Sequence, residues 1–268
     1  MVDEQAARNK KIRDTISGNF TRGAKSYALF EEEHQFFKKL LGELLSLSPP
    51  PAGGRILDVG CGTGASLEGL AEAVGDNGEV VGLDISEGML EEARSRFGDK
   101  YTLICADGCN FEEKALGGKF DAVVYNAVLF MLPDARGSLT SAKSVLKQGG
   151  SVYIASLEGV EANGIPLPDI LSQGGYKAGR HALSPWSKVA PLVDELFPGT
   201  LFREFTIELT PPLFRGFYLL EPMSAGLLPT LPYPERRNII ESYAKNFEEE
   251  GVAPVQRWVL AASNKRDD

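Results

Sequence analysis

The sequence predicts an α/β fold, a doubly wound and mostly parallel sheet of seven strands, and three observations support this prediction. Between residues 55 and 157, short apolar runs alternate with segments of helical pattern. The runs are continuous, which is typical of parallel strands buried on both faces. A loop with glycine at three alternate positions, Gly60, Gly62 and Gly64, joins the first run to the helix that follows it. In such a fold, ligands bind beyond the carboxyl ends of the strands.

Residues 1–51 are predicted to form a helical segment ahead of the sheet. A helix is expected at the start of the chain, and between residues 29 and 47 apolar side chains recur at the spacing of an amphipathic helix. The stretch "SPPPAGG" ends this segment, because proline has no amide hydrogen with which to continue a helix. Residues 52–268 are predicted to form the sheet domain with its cap insertions.

The first part of the sheet domain is predicted to contain five strands and three helices. Ser86 is expected to open the second helix, because Glu87 follows in its first turn and Gly98 stands just beyond its end. The strands are expected at "RILDV", "EVVGLD", "YTLICA", "FDAVVYN" and "SVYIASL", and the helices over residues 65–74, 86–97 and 134–147.

The regular alternation ends after residue 157. Residues 158–185 are rich in Gly, Pro and Ser, and residues 211–234 contain six prolines. Between and after them we expect a helix over 186–197, the strand "FREFTIEL", a helix near 235–250 and the strand "QRWVLAAS". The connections are too apolar for solvent loops, so they are candidates for a cap or lid over the strand ends, in insertions at about 158–200 and 210–250.

The composition is that of an acidic globular protein. Hydrophobic residues make up 43% of the chain and the net charge is −9, so a packed core is expected and bulk attraction to nucleic acid is not. Three cysteines and two histidines suffice neither for a disulfide framework nor for a zinc site. The first residues lack the apolar centre of a signal peptide, and the uncharged stretches are too short for a bilayer span. We therefore expect a cytoplasmic protein without a metal and without stable membrane insertion.

The glycine loop brings backbone close to a ligand, and the residues around it narrow the choice of that ligand. A triphosphate loop is excluded, because no Lys-Ser/Thr pair follows the last glycine. The stretch "GCGTGA" does fit the dinucleotide pattern, with Asp84 at the right distance for a ribose. Asp58, two places before the first glycine, would repel a pyrophosphate and attract a cation such as S-adenosylmethionine. A purely structural role for Asp58, holding the amides of the loop, is the alternative.

Five stretches in order, "LDVGCGTG", "VVGLDIS", "CADGCNF", "FDAVVYNAVLFMLPD" and "VLKQGGSVYIAS", resemble the successive motifs of class I S-adenosylmethionine-dependent methyltransferases. The likeness covers residues 55–156 and is nearest to the small-molecule enzymes, among them those of quinone biosynthesis. The segment "FTRGAKSY" is similar to one that closes over the cofactor in several relatives, including malonyl-carrier-protein methyltransferases. The resemblance implies a Rossmann-like fold and methyl transfer that leaves S-adenosylhomocysteine.

The resemblance also implies how this cofactor would be held. Asp84 would accept both ribose hydroxyls, Asp107 would accept from the adenine amino group, and Tyr27 would close the pocket. Gly60 and Gly62 would let backbone approach the methionine part. The full set of expected cofactor-binding residues is Tyr27, Asp58, Gly60, Cys61, Gly62, Gly64, Asp84, Ile85, Met89, Ala106, Asp107, Gly108, Asn126 and Ala127.

Several of these residues have a structural alternative. Asp84 could be a helix cap and Asp107 a turn residue. Met89 could be a core methionine and Tyr27 an ordinary buried aromatic side chain.

No residue of the sequence stands out as a general base. Methyl transfer needs alignment of the reacting atoms and exclusion of water, and it needs a base only where the acceptor must lose a proton. His181, in the candidate lid, is a weak catalytic candidate and is favoured over His34. The other candidates, unranked, are Tyr125, Tyr153, Glu158 and Tyr176.

The acceptor is expected to be a small molecule rather than a nucleic acid. The fourth strand ends in "YNAV", without the Pro-Pro-aromatic motif of nucleic-acid amino-methyltransferases, and no basic stripe is present. The cap is apolar, which favours an apolar or aromatic acceptor with an anionic end held by Arg215, Arg236 or Arg237; simple packing of the cap is the alternative. An inactive cofactor-binding sensor or partner subunit, and an NAD-dependent oxidoreductase, are the competing functions. The sequence specifies neither the atom that is methylated nor the oligomeric state.

Overall fold

The computed structural model describes residues 2–179 and 183–264 and confirms the predicted α/β fold class. The strands are β1 (Arg55–Val59), β2 (Glu79–Asp84), β3 (Thr102–Cys105), β4 (Phe120–Asn126), β5 (Leu146–Ala162), β6 (Ile165–Pro166), β7 (Leu201–Glu208) and β8 (Val255–Asn264). The α-helices are α1 (Val2–His34), α2 (Phe36–Leu45), α3 (Leu67–Val74), α4 (Glu87–Phe97), α5 (Glu113–Leu116), α6 (Ala135–Val145), α7 (Leu167–Gln173), α8 (Trp186–Leu196), α9 (Pro211–Tyr218), α10 (Glu221–Leu227) and α11 (Tyr233–Glu250). None of these helices is both long enough and apolar enough to cross a membrane.

The strands form one sheet in the order β3-β2-β1-β4-β5-β8-β7, and β6 pairs with the end of β5. Strands β1 to β5 are parallel, whereas β8 is antiparallel to both of its neighbours. The short β6 adds an eighth strand to the seven predicted from the sequence. The chain order reverses between β1 and β4, which places a ligand crevice at the carboxyl ends of these two strands.

Helices cover both faces of the sheet, as the buried apolar runs predict. One core contains side chains of α2, α3, α9 and α11, and the other contains side chains of α6 and α8. The helix α8 therefore lies on the opposite face from α9 and α11. The long helix α1 packs against α4 and α10, so it spans the space between the sheet domain and the second insertion.

The start and end of α4 are those expected from the sequence. The Ser86 hydroxyl accepts a hydrogen bond from the Met89 amide, which caps the first turn, and Gly98 follows the last turn with φ 58°. Glycine adopts this left-handed conformation without the steric cost that a side chain would add.

Three of the differences from the sequence prediction have a local reason. The single helix expected over residues 29–47 is broken at Gln35, which has φ 49°, because the buried Glu31 carboxylate caps the amides of Phe37 and Lys38 at the start of α2. The helix α3 begins two residues later than predicted, after the glycine loop. Finally, α6 ends at Val145 and β5 starts directly, so the "QGG" stretch lies inside a strand.

Candidate functional site

A cleft of about 740 Å³, part of it open to solvent, lies at the carboxyl ends of β1, β2 and β4. Its floor is formed by the glycine loop and the strand ends, and its roof by one face of α1. The predicted cofactor residues that line it are Tyr27, Gly60, Gly62, Asp84, Ile85, Met89, Asp107, Gly108, Asn126 and Ala127.

The glycine loop is held against β2 by backbone hydrogen bonds, and Gly60 has no space for a side chain. The amides of Gly60 and Cys61 donate to the carbonyl oxygen of Leu83 over 2.6 and 3.1 Å. Gly60 has φ 75°, and a Cβ atom there would lie 2.5 Å from Cγ2 of Val128. The loop therefore presents bare backbone to the cleft, which is a cradle that a side chain would fill.

Asp84 ends β2 with its carboxylate fixed from two sides. One oxygen accepts from the Gly62 amide over 2.9 Å and the other from the Ser86 amide over 2.8 Å. Burial raises the pKa of Asp84, and these amide bonds offset part of that effect. Each oxygen keeps a further lone pair, so the carboxylate can still accept two hydroxyl groups. The helix cap next to it is supplied by Ser86, not by Asp84.

Three buried oxygen atoms near the floor have no hydrogen-bond partner among the described residues: Oδ2 of Asp58, Oγ1 of Thr63 and Oδ1 of Asn126. Asn126 donates through Nδ2 to the Phe37 carbonyl and to the Ser66 hydroxyl, both over 2.9 Å, which leaves its oxygen as an acceptor. Burial and the charge of Asp84 raise the pKa of Asp58 to about 7. Unpaired buried acceptors are costly, and a cationic donor such as an ammonium group would satisfy them.

Asp107 combines a turn role with an ion pair to the roof. Its Oδ1 accepts from the Cys109 amide over 2.9 Å, as the turn alternative anticipates, while Oδ2 pairs with Arg13 of α1. The side chain of Arg13 thus extends from the roof to the floor of the cleft. Arg13 lines the cleft, but the Asp107 carboxylate neutralises its charge, so Arg13 is not a free anion site.

The roof was largely missed by the sequence reasoning. Of the residues that form the roof, only Tyr27 was predicted. The Tyr27 ring stacks on the Phe37 ring with centroids 5.2 Å apart. Arg13, Ile16 and Phe20 also line the cleft. A helical projection of residues 13–27 would have placed these four side chains on one face, which is the signal that could have found them.

Four predicted residues lie behind the cleft instead of lining it: Asp58, Cys61, Gly64 and Ala106. The Cys61 thiol is buried against Gly82, where an added Cβ would lie 2.7 Å from Sγ, and burial raises the pKa of this thiol. A Cβ on Gly64 would lie 2.5 Å from the Phe97 ring, so this glycine serves helix packing. These residues shape the floor through backbone and packing.

The residues named as catalytic candidates contribute no base to the cleft within the part of the chain that the structure describes. His181 lies outside the described residues. His34, at the end of α1, contacts the Phe30 ring, and the Tyr125 hydroxyl is bonded to Ser138. His34, Tyr125, Tyr153, Glu158 and Tyr176 are all absent from the cleft lining. No group of three or more metal-ligating side chains occurs among the residues described.

The arginines proposed to hold an anionic acceptor are occupied or distant. Arg215 pairs with Glu241 and Glu248, and Arg236 is buried with Nη1 donating to the Glu221 carbonyl. Arg237 is exposed and, like the other two, does not line the cleft. Most of the apolar cap residues are buried in the core, as the packing alternative predicts; these are Phe214, Phe217, Tyr218, Leu220, Leu227 and Leu228.

Comparison with known proteins gives a family and relatives. Residues 56–150 match the family model described as a methyltransferase domain. An aklanonic acid methyltransferase of Streptomyces sp. (strain C5) is 35% identical over 128 residues, which is 46% of this chain and 56% of that protein. A demethylmenaquinone methyltransferase of Staphylococcus saprophyticus is 30% identical over 154 residues, 57% of this chain and 64% of that protein. The chain thus spans less than two thirds of the length of these relatives.

A solved structure confirms the fold. Phosphoethanolamine N-methyltransferase 2 of Haemonchus contortus, in complex with phosphomonomethylethanolamine and S-adenosylhomocysteine, superimposes with a TM-score of 0.52. The match covers 86% of this chain and 53% of that chain at 20% sequence identity.

Proposed function

We propose that the protein, whose residues 56–150 match a methyltransferase domain model, is a class I S-adenosylmethionine-dependent methyltransferase and transfers a methyl group to a small apolar or aromatic acceptor. The observation that carries the proposal is a cleft with a bare glycine loop that is lined by Asn126, whose buried side-chain oxygen has no partner among the described residues, with the unpartnered Asp58 carboxylate just behind the loop. Such a site suits a cationic nucleoside without phosphate.

The residues present fit S-adenosylmethionine, which would supply a methyl group activated on a sulfonium. Asp84 would accept the ribose hydroxyls with the lone pairs that its amide bonds leave free. Asn126 would face the ammonium end, and Asp58 would act on it through its charge from behind the loop. Gly60 and Gly62 would give backbone contact, and Ile85 and Met89 would cover the adenine. Asp107 would accept from the adenine amino group beside Arg13.

In this site the protein would act through alignment and exclusion of water. The described cleft lining contains no histidine, and both of its carboxylates already hold donors. Burial raises the pKa of Tyr27 well above its ordinary value, which keeps its phenol a neutral donor rather than a base. The chemistry that fits this lining is an in-line displacement by an acceptor that needs little help in losing a proton.

A small acceptor is supported by two observations. The relatives are named for aklanonic acid and demethylmenaquinone, both small molecules. The net charge of −9 and the pairing of Arg13 with Asp107 leave no cationic track along the cleft for a nucleic-acid backbone.

Methyl transfer from labelled S-adenosylmethionine tests the proposal. Purified protein would be offered three acceptor pools: aromatic small molecules, unfolded protein and total RNA. We expect label only in the small-molecule pool, and a loss of that label in Asp84→Asn. Label in protein or RNA would contradict the acceptor class, whereas S-adenosylhomocysteine binding without transfer to any pool would support the inactive alternative.

A further inference from the structure

A second, larger groove opens beside the cofactor cleft, between α1 and α10. It encloses about 1140 Å³, part of it open to solvent. Ile16, Phe20 and Met131 line both the groove and the cleft, so the two are continuous through these three side chains. On the far wall Pro222 and Ala225 of α10 face α1.

The inner part of the groove is mainly apolar, because the two side-chain oxygens in it, on Thr15 and Asn19, already have hydrogen-bond partners. The Thr15 hydroxyl donates to the Lys11 carbonyl oxygen over 2.9 Å within α1. Oδ1 of Asn19 accepts from Arg22. What remains for a ligand is the hydrocarbon of residues such as Ile12, Ile16 and Phe20.

The outer end of the groove carries two cations. Arg8 and Lys11 line it, both are exposed, and neither forms an ion pair with any side chain that the structure describes. Other cations of α1 differ: Lys10 pairs with Asp14 over 2.9 Å, and Arg13 pairs with Asp107. A pair of available cations above an apolar channel matches an anionic group on an apolar body.

We infer that this groove is the site of the methyl acceptor, and that the acceptor carries an anionic group at the end remote from the atom that is methylated. This inference rests on the proposed function. Lys11 and Arg8 precede Ile16 by five and eight residues, so at 1.5 Å per residue their Cα atoms lie about 8 to 12 Å along α1 from the cofactor end. The acceptor is then an elongated apolar molecule, two or three fused rings or a short acyl chain, with a carboxylate or similar group.

A matched pair of fluorescent probes tests the inference. 1-Anilinonaphthalene-8-sulfonate and N-phenyl-1-naphthylamine share a ring skeleton and differ by the sulfonate. Both would be titrated into the full chain at saturating S-adenosylhomocysteine. We expect both to bind, and groove-filling variants Ala225→Phe and Thr15→Phe, placed on opposite walls, to weaken both at least tenfold. The double variant Arg8→Gln/Lys11→Gln should weaken only the sulfonate probe, by about fivefold, because two exposed charge contacts are lost.

The control is Lys10→Gln/Lys25→Gln, which removes two exposed cations of α1 that do not line the groove. We expect it to bind both probes as the wild type does. Equal weakening by the two double variants would overturn the anionic end, and probe binding unaffected by either filling variant in a folded protein would overturn the groove. Calorimetric uptake of S-adenosylhomocysteine, measured in parallel, separates these failures from that of the proposed function, which would show as no uptake by the wild type.

Discussion

The floor and the roof of the cofactor cleft are built by different kinds of contact. The floor is fixed by backbone: the glycine loop bonds to Leu83, and Asp84 is held by two amides. The roof, α1, is bonded to the floor through the side chains of Arg13, Ser17 and Thr21. Backbone geometry is lost only when the domain unfolds, whereas a side-chain contact can open locally. The floor is thus preorganised for a ligand, and the roof is the part that can yield to admit one.

The largest expected effect comes from disturbing the floor with Gly60→Ala. The new Cβ would lie 2.5 Å from Val128 at φ 75°, so the loop must leave its bonds to Leu83. We expect about 3 kcal/mol loss of unfolding free energy and an approximately 100-fold loss of S-adenosylhomocysteine affinity, measured by chemical unfolding and calorimetry.

Gly75→Ala is the matched control, because Gly75 has φ 73° with no atom within 4 Å of an added Cβ. It should cost about 1 to 3 kcal/mol of stability, because its backbone (φ 73°, ψ −175°) favours glycine, and no affinity. Equal losses of affinity in the two variants would mean that backbone strain, not the cradle, determines binding.

Asp84→Asn should weaken S-adenosylhomocysteine binding about 30-fold, since two charge-assisted bonds to hydroxyls become neutral or are lost. Exposed Asp99→Asn, at the end of α4, should bind as the wild type does. An Asp84→Asn protein of unchanged affinity would remove Asp84 from the site.

Asp58 gives a pH test of the floor. Its pKa is about 7 because burial and Asp84 disfavour its charge, so without ligand the folded state loses stability as pH rises from about 4 to about 7. A cationic ligand favours the carboxylate, so affinity for S-adenosylmethionine should rise up to about tenfold between pH 6 and 8.

Asp84, the neighbouring buried carboxyl, also has a raised pKa, so it too could make affinity depend on pH. The part of the pH dependence that is lost in Asp58→Asn belongs to Asp58. That variant should flatten most of the pH dependence, while exposed Asp76→Asn should retain it. Calorimetry at both pH values measures the effect, and an undiminished rise in Asp58→Asn would assign it elsewhere.

The smallest effect is expected in the roof. Thr21→Val removes a 2.8 Å hydrogen bond to Ser86 and should cost up to about 1 kcal/mol, with affinity changed by less than about twofold. Hydrogen exchange of the α1 amides should accelerate. The Thr15 hydroxyl bonds within α1, so Thr15→Val should not accelerate the exchange. Similar exchange rates in the two variants would mean that the bond between Thr21 and Ser86 does not hold α1 on the floor.

The contrast also explains what the sequence could predict. The floor is local, because a strand, a glycine loop and a helix adjoin in the chain. The Ser86 cap predicted from spacing is confirmed, and Gly60 and Asp84 line the cleft, while their roles toward a cofactor stay predictions. Asp58 was singled out as a charge near the loop, and it lies behind the cleft with an unpartnered oxygen.

The roof and the cap depend on contacts distant in the chain, and there the sequence reasoning was less successful. Arg13 meets Asp107 across 94 positions, which no local pattern reports. The break at Gln35 depends on the Glu31 carboxylate folding back on α2, so helical spacing alone predicted one continuous helix. Arg215 was expected to meet an acceptor and instead pairs with Glu241 and Glu248, side chains of a different helix.

The central claim is that this acidic cradle selects a cationic sulfonium nucleoside over a diphosphate, and paired calorimetric titrations of the full chain with S-adenosylmethionine and with NAD test it most directly. We predict one saturable site for S-adenosylmethionine and no detectable heat from NAD at the same concentrations. Saturable uptake of NAD with none of S-adenosylmethionine would contradict it.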